Sequence, residues 1–408
     1  MDYSVLKITT FSKYYLNHFY HRHPGLRNSP YDAQYSALMN DGFGWADFLS
    51  TNLRKIGIES QEIIFNAGPL QRAWARERGG RAGGTDLLIA QIAAIKPDVV
   101  FFEDMSLCSD EQINFLKERV NSIRLVIGYV SSPMALRLSR AAKSYDLFLC
   151  CGPAFTAMLK EIGLCAYELD HAFEPDILRR LDNSLQDHSQ DVIFSGSLVP
   201  RDGFHSERIK VLTSLVRAGV DVKIYTDKTP YQPGVLLLKN ALYYLNRIVK
   251  ATGQNGLGEC PFFIRLNRWD SPVRVPAGLK HLLERAANPF YGMDMYGALA
   301  KSGIVLNVHA DVAGDYAVNM RLFEATGAGS CLVTDHKKNI EDLFEPDHEV
   351  VTFRTDVEAV SKIRWLIEHP EKRKEIASAG QRRTLREHTF ERRAALLNAI
   401  ITGELNKR

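Results

Sequence analysis

Strand-like and helix-like segments alternate along the first 180 residues of the chain. Apolar, β-branched runs predict strands at 5–10, 62–65, 98–102, 124–130 and 147–151. Apolar residues at helical spacing predict helices at 43–56, 87–95, 110–120, 133–143 and 154–162. Such alternation is typical of βαβ units, so it indicates a parallel sheet covered by helices.

A polar stretch at 182–190 (DNSLQDHSQ) interrupts this alternation, which then starts again. Further strands are predicted at 191–195, 221–225, 304–308, 330–334 and 349–353. The pattern therefore indicates two Rossmann-like domains, 1–185 and 186–389. The alternation is lost at 229–290, where six prolines surround one amphipathic helix, 236–249, and we expect an insertion there.

Composition excludes several classes of protein. The 408 residues contain 51 Lys and Arg against 48 Asp and Glu, which is too balanced for a dedicated nucleic-acid binder. The segment 371–408 is an exception, with ten Lys and Arg but five Glu, and it suits either a solvated helix face or an anionic surface. The six cysteines form no C-x-x-C motif and the first residues do not resemble a signal peptide, so we expect a reduced, cytoplasmic protein.

The segment 319–329 (NMRLFEATGAG) contains the densest candidate chemistry. Arg321 and Glu324 are three residues apart, so both project from one face of a predicted helix. In open α/β sheets ligands bind beyond the carboxyl ends of the strands, where this helix begins. The guanidinium suits a diphosphate and the carboxylate suits ribose hydroxyls. An exposed ion pair without function is the alternative on spacing alone.

Three segments resemble a known family: NMRLFEATGAGSCLVTD, LFEPDHEVVTF and EHPEKRKEIASAGQRRTLREHTFERR. They are similar to the carboxyl-terminal domain of GT-B glycosyltransferases of the group 1 type, in the branch that includes the CgeB-like spore-maturation proteins. The resemblance implies an α/β GT-B fold, with two Rossmann-like domains facing across a cleft. It also implies that the second domain holds a nucleotide-sugar donor, that the first holds the acceptor, and that a last helix, 390–408, crosses back to the first domain. More loosely, 41–59 and 70–79 resemble bacterial surface-polysaccharide enzymes.

Several residue roles follow from the resemblance. It implies that Glu324 binds the ribose, and that Arg321 and Asn319 approach the diphosphate. Gly196 and Ser197 would form the phosphate-side loop, while Gly327 and Gly329 would permit close backbone packing. Retaining group 1 enzymes usually carry a Glu-x7-Glu motif, but the position of its first Glu is Tyr316 here. This departure leaves inverting and retaining transfer open. It also leaves two functions open: an active hexosyl or deoxyhexosyl transferase, or a catalytically degenerate GT-B binding module of a polysaccharide assembly complex.

Glycosyl transfer needs a group that takes the proton of the acceptor hydroxyl. Asp104 is the first candidate, because it follows a predicted strand, and Glu103 and His18 are the other choices. His309 follows a predicted strand of the second domain, where an imidazole suits contact with the diphosphate or the sugar. A structural histidine near the sheet edge is the alternative for His309.

On the acceptor side, Tyr14, Tyr15 and His18 either contact sugar rings or pack under a long first loop. The nearby histidines have no flanking cysteine or carboxylate to complete a metal site. We expect metal-independent transfer, with no cofactor besides the nucleotide-diphosphate sugar as substrate.

The expected partners are a nucleotide-sugar donor and a glycan or lipid-linked glycan acceptor, such as an O-antigen or a related surface polysaccharide, and no nucleic acid. The helix 236–249 and the basic carboxyl-terminal segment suit peripheral contact with the inner face of a membrane. A domain-packing helix is the alternative for 236–249.

Overall fold

The first domain is built on a parallel six-stranded sheet. The computed structural model describes residues 3–79, 83–181, 189–199, 204–251, 272–273 and 275–407. The strands are β1 (Ser4–Thr9), β2 (Glu59–Ile64), β3 (Val99–Phe102), β4 (Leu125–Val130), β5 (Leu147–Cys150) and β6 (Ala166–Glu168). Their order is β2-β1-β3-β4-β5-β6. All residues of β3, β4 and β5 are buried, which is why these strands are apolar on both faces.

Helices cover both faces of this sheet. They are α1 (Lys13–Arg22), α2 (Tyr31–Asn40), α3 (Phe48–Lys55), α4 (Gly68–Glu77), α5 (Gly84–Ile95), α6 (Asp110–Arg119), α7 (Pro133–Ala141), α8 (Pro153–Glu161) and α9 (Asp176–Arg180). Local signals fix where some of them begin: α6 starts with a capping box between Ser109 and Gln112. The region after β1 forms helices α1 and α2, so the expectation of a long first loop is wrong. The expected strands also omit β6, which has only three residues.

The second domain has a parallel five-stranded sheet. Its strands are β7 (Ser189–Ser195), β8 (Val222–Tyr225), β9 (Ser302–Asn307), β10 (Cys331–Asp335) and β11 (Val351–Phe353), in the order β11-β10-β9-β7-β8. Because β8 lies on one side of β7 and β9 on the other, the strand order reverses at β7. Such a switch point opens a crevice at the carboxyl ends of the strands, where ligands bind in this class of sheet.

The helices of the second domain are α10 (Ser206–Arg217), α11 (Pro233–Ala251), α12 (Ala277–Arg285), α13 (Gly292–Lys301), α14 (Arg321–Gly327), α15 (Ile340–Leu343), α16 (Asp356–Glu368) and α17 (Pro370–Glu387). Short 3₁₀ turns lie at Pro24–Asn28, Met105–Leu107, Thr229–Tyr231 and Asp311–Ala313. In the expected insertion the structure describes α11 and α12, and α12 packs on α10. Residues 252–271 and 274 of that insertion, and 182–188 of the polar stretch, lie outside the described residues.

The chain crosses between the domains twice, and the two crossings are hydrogen-bonded to each other. The backbone N–H of Phe173 donates to the carbonyl of His388 at 2.9 Å, and that of Phe390 donates to the carbonyl of Phe173 at 3.0 Å. The last helix, α18 (Phe390–Leu405), then packs on α3 of the first domain. Buried apolar side chains of both domains form one continuous cluster across this junction.

Gly327, the last residue of α14, lies against the ring of Phe173. A Cβ atom at Gly327 would be 2.3 to 2.6 Å from three ring carbons of Phe173. The Phe173 side chain is fully buried, so it has no open space into which to move. Because Gly327 has no side chain, α14 can pack closely on Phe173, in the first of the two segments that cross between the domains.

We expect Gly327→Ala to destabilise the protein by about 1–3 kcal/mol, the usual range for overpacking a dense core. The measurement is the thermal unfolding midpoint, with Gly403→Ala as the matched control. Gly403 is also in a helix, but it is exposed and a Cβ atom there meets no other atom within 4 Å. The control should unfold at or above the wild-type temperature, because alanine favours helix more than glycine does. Equal midpoints for the two variants would contradict the tight contact at Phe173.

Candidate functional site

A cavity of about 1280 Å³ opens between the two domains. Ser12, Tyr14, Phe43 and Gly44 line it from the first domain. The second domain lines it with the carboxyl ends of β7 and β9, with the segment after β8 and with the start of α14. Ligand pockets for compounds of drug size are usually about 300–1,000 Å³, so this cavity is large enough for an extended ligand.

Arg321 and Glu324 meet in the wall of this cavity. Arg321 Nη1 lies 3.1 Å from Glu324 Oε2, and the two side chains are 16 % and 7 % exposed. The alternative of an exposed surface pair is therefore wrong. Burial raises the pKa of Glu324, and the positive charge of Arg321 opposes that shift. Arg321 also donates through Nη2 to the carbonyl of Ser195 at the end of β7, at 3.4 Å.

A chain of amide groups positions Asn319 beside this pair. Asn319 Nδ2 donates to Asn307 Oδ1 at 2.7 Å, and Asn307 Nδ2 donates to Thr334 Oγ1 at 2.9 Å. The chain joins the ends of β9 and β10 to the residues before α14. Asn319 Oδ1 is buried and has no partner among the described residues, and Asn319 lines the cavity. It is thus a fixed hydrogen-bond acceptor at this point.

Arg208, from α10, brings a second guanidinium to the same cavity. Its Nε donates to the carbonyl of Val308 at 2.6 Å and its Nη1 to that of Ser197 at 3.1 Å. Burial lowers the pKa of Arg208 to about 10, so it stays positive at neutral pH. Arg208 is absent from the residues predicted from sequence, because its role depends on carbonyl groups that are distant along the chain and adjacent only in the fold.

The three predicted glycines and Ser197 fall into two groups. Gly196 and Ser197 line the cavity directly after β7. Gly327 and Gly329 do not line it: Gly327 packs on Phe173, and Gly329 has a φ of +89° and packs against Gln381. The last two glycines therefore shape the site only through the packing of α14.

Asp104 is not among the described residues that line the cavity. One carboxylate oxygen accepts a hydrogen bond from Thr10 Oγ1 at 3.0 Å, and the other accepts from the backbone N–H of Ser106 at 3.0 Å. Asp104 thereby caps the 3₁₀ turn that follows β3. Its role as a catalytic base stays a prediction.

His309 is buried behind the cavity, in contact with Asp335. His309 Nδ1 lies 2.7 Å from Asp335 Oδ1, which also accepts from the His309 backbone N–H at 2.9 Å. Burial alone would raise the pKa of Asp335, but His309 and Lys337 together lower it to about 2. The other ring nitrogen, Nε2, is buried and has no hydrogen-bond partner among the described residues. The catalytic role of His309 also stays a prediction.

The three acceptor-side candidates, Tyr14, Tyr15 and His18, have different surroundings in the structure. Tyr14 is 39 % exposed and lines the cavity. Tyr15 is fully buried, and its ring stacks on Phe43 with 3.8 Å between centroids, so it is a packing residue and cannot reach an acceptor. His18 lies on the exposed side of α1, with its ring 5.3 Å from that of Tyr291. Within the described ranges, no three His, Cys, Asp or Glu side chains cluster as metal ligands would.

One segment of the chain is similar to a known protein family. Residues 247–399 match the family model described as glycosyl transferase-like. No curated protein matches the chain. The narrower likeness to the CgeB-like branch stays a prediction.

Solved structures match over nearly the whole chain. HepE from Anabaena, solved with UDP-glucose, is 12 % identical with a TM-score of 0.55, over 98 % of this chain and 100 % of that one. A glycosyltransferase from Rickettsia africae is 9 % identical with a TM-score of 0.56, over the full length of both chains. Sucrose-phosphate synthase from Thermosynechococcus elongatus is 9 % identical with a TM-score of 0.55, also over both full chains. This chain therefore has the GT-B fold, and its residues 247–399 are similar to the glycosyl transferase-like family.

Proposed function

We propose that this protein transfers a hexosyl or deoxyhexosyl group from a nucleoside-diphosphate sugar to a glycan acceptor of a surface polysaccharide. The observation that carries the proposal is the buried Arg321–Glu324 pair in a cavity that also contains Arg208. Glu324 accepts the ribose hydroxyls, and the two guanidinium groups face the diphosphate. HepE was solved with UDP-glucose, which supports starting with UDP-sugars.

In the reaction, the acceptor oxygen forms a bond to the anomeric carbon of the sugar. The bond from that carbon to the diphosphate oxygen breaks, and the nucleoside diphosphate leaves with the electron pair. Arg208 and Arg321 stabilise the negative charge of the leaving group, since they are already positioned in a partly buried site. The acceptor proton goes to a base, for which Asp104 remains the first candidate, and His309 remains a candidate for contact with the diphosphate or the sugar.

The rival function is a binding module that holds a nucleotide sugar without transferring it. Tyr316 favours it, because retaining enzymes of the group usually have a carboxylate at that position. A nucleotide-sugar hydrolysis assay separates the two functions: release of free sugar supports the transferase, and tight binding without any turnover supports the module.

We expect Glu324→Gln to weaken nucleotide binding by about ten- to a hundredfold, since hydrogen bonds to a charged group contribute about 1.5–3 kcal/mol. A thermal-shift screen with UDP-, dTDP- and GDP-sugars first selects the nucleotide, because bound ligand raises the unfolding temperature. Calorimetry with that nucleotide then measures the affinity. Glu371→Gln is the control, because Glu371 is exposed on α17 and does not line the cavity. Unchanged affinity in Glu324→Gln would exclude the assigned ribose site.

We expect transfer to continue in excess EDTA at the rate measured without it. The physical reason is that Arg208 and Arg321 supply positive charge at the diphosphate, as a divalent ion does in metal-dependent transferases. Product formation with and without chelator is the measurement. Loss of activity in EDTA, restored by added Mg²⁺ or Mn²⁺, would show that the proposed metal independence is wrong.

We also infer peripheral contact with the inner face of a membrane, where a lipid-linked glycan acceptor is available. Support comes from α11, which exposes a row of large apolar side chains: Leu237, Leu238, Tyr244, Leu245 and Ile248. Its 19 residues contain three Lys and Arg and no Asp or Glu, which suits an anionic lipid surface. The basic segment 371–408 adds further positive charge. No described helix is long and apolar enough to cross a bilayer.

The protein should float with phosphatidylserine-containing vesicles at low salt and float less at high salt, because salt screens the attraction. Leu237→Ser combined with Ile248→Ser should reduce flotation, since both side chains are more than half exposed on α11. Val357→Ser is the matched control: Val357 is 73 % exposed on α16, in a different part of the domain. Absence of wild-type protein from the floating fraction would rule out membrane contact.

A further inference from the structure

A second carboxylate, Asp227, lines the cavity that holds Arg321 and Glu324. Asp227 is the second residue after β8, the edge strand next to β7. Its Oδ1 accepts a hydrogen bond from the backbone N–H of Thr229 at 2.8 Å, which fixes the side chain in the loop. Its Oδ2 is buried and has no hydrogen-bond partner in the part of the chain that the structure describes.

The two cavity carboxylates have different surroundings. Glu324 is paired with Arg321, whereas no Lys, Arg or His of the described residues forms an ion pair with Asp227. The adjacent Lys228 donates its ammonium group to the carbonyl of Ala286 at 2.8 Å instead. A buried acceptor without a partner is costly, and a bound ligand that donates a hydrogen bond removes this cost.

Aromatic residues line the same cavity as Asp227. Tyr231 and Tyr291 line it from the second domain, and Tyr14 lines it from the first domain. Burial raises the pKa of Tyr291 to about 12, and the negative charge of Asp227 adds to this shift. Flat apolar surface beside a carboxylate suits a ring with an N–H or O–H group at its edge, which describes both a nucleobase and a pyranose.

We propose that Asp227 determines donor specificity, because its Oδ2 accepts a hydrogen bond from a ring N–H or O–H group of the bound nucleotide sugar. The inference rests on the proposed function, and it adds a residue that recognises the ligand besides the Arg321–Glu324 pair. The ring is either the nucleobase or the transferred sugar, and the experiment below distinguishes them. In either case the ring must be a hydrogen-bond donor where it meets Asp227, since a carboxylate can only accept.

Asp227→Asn tests the proposal, because it keeps the shape of the side chain and leaves one acceptor oxygen. Wild-type Asp227 can serve the Thr229 N–H and the ligand together, but asparagine can serve only one of them, whichever way its amide turns. Asp221→Asn is the matched control, since Asp221 is exposed at the other end of β8. Calorimetry compares UDP with UDP-glucose, or the corresponding pair if the thermal-shift screen selects another nucleotide.

We expect Asp227→Asn to weaken UDP-glucose binding about tenfold or more, and Asp221→Asn to leave it unchanged. If UDP binding falls by the same factor, the ring at Asp227 is the nucleobase. If UDP binding is unchanged, the ring is the sugar. Both results support the proposal, provided that the variant unfolds at a temperature close to that of the wild type.

Asp227→Ser is measured beside Asp227→Asn, because an asparagine whose oxygen faces the ligand still accepts its hydrogen bond. If both variants bind UDP and UDP-glucose with wild-type affinity, the proposal is overturned, even if turnover changed. The failure of the proposed function looks different, because wild-type protein would then bind none of the nucleotides in the screen. A misfolded variant is recognised by its unfolding temperature. In that case Asp227→Ser alone is the test, since serine removes the carboxylate with less bulk, and the same tenfold loss is expected.

Discussion

The pairing of the two domain crossings fixes the geometry on which the site depends. Phe173 exchanges backbone hydrogen bonds with the segment that leads into α18, and its ring lies under Gly327 at the end of α14. Because α14 begins with Arg321 and contains Glu324, one buried phenylalanine locates the ion pair relative to the first domain. The cleft between the domains is therefore defined by close packing at its base.

The charged side chains of the site are also held in place before a ligand binds. Arg208 and Arg321 are each held by a backbone carbonyl, of Val308 and Ser195, so their positions do not depend on a ligand. Such fixed charges stabilise a leaving diphosphate without the cost of reorganising at the moment of reaction. Glu324 balances one of the two charges in the wall, and this limits the cost of burying them together.

The sequence predicts best what depends on neighbouring residues. Continuous apolar runs identify β3 and β4, because both faces of these strands are buried. The spacing of Arg321 and Glu324 places them on one helix face, as the structure has them. In contrast, α1 is not predicted, although its buried Tyr15, Leu16, Phe19 and Tyr20 recur at helical spacing. Two of these four residues are tyrosines and the rest of the helix is largely polar, so the segment does not stand out as apolar.

Residues whose surroundings come from distant parts of the chain are harder to predict. Arg208 becomes a site residue only when β9 brings the carbonyl of Val308 to it, 100 positions away. Asp227 follows a short edge strand and has no motif, so only the fold shows that it shares a cavity with Glu324. Tyr15 shows the opposite error, because it is predicted as a site residue but packs in the core. Its neighbour Tyr14 lines the cavity instead.

The two predicted catalytic residues, Asp104 and His309, differ in whether the fold leaves them a free lone pair to accept a proton. Both oxygens of Asp104 already accept hydrogen bonds, from Thr10 and from Ser106. In neutral His309 the hydrogen lies on Nδ1, because its partner Asp335 is a carboxylate that can only accept. The lone pair is then on Nε2, which has no partner among the described residues. His309 thus has the orientation of a base held by a carboxylate, but it is buried behind the cavity wall, and a proton from an acceptor would have to reach it past the residues that line that wall.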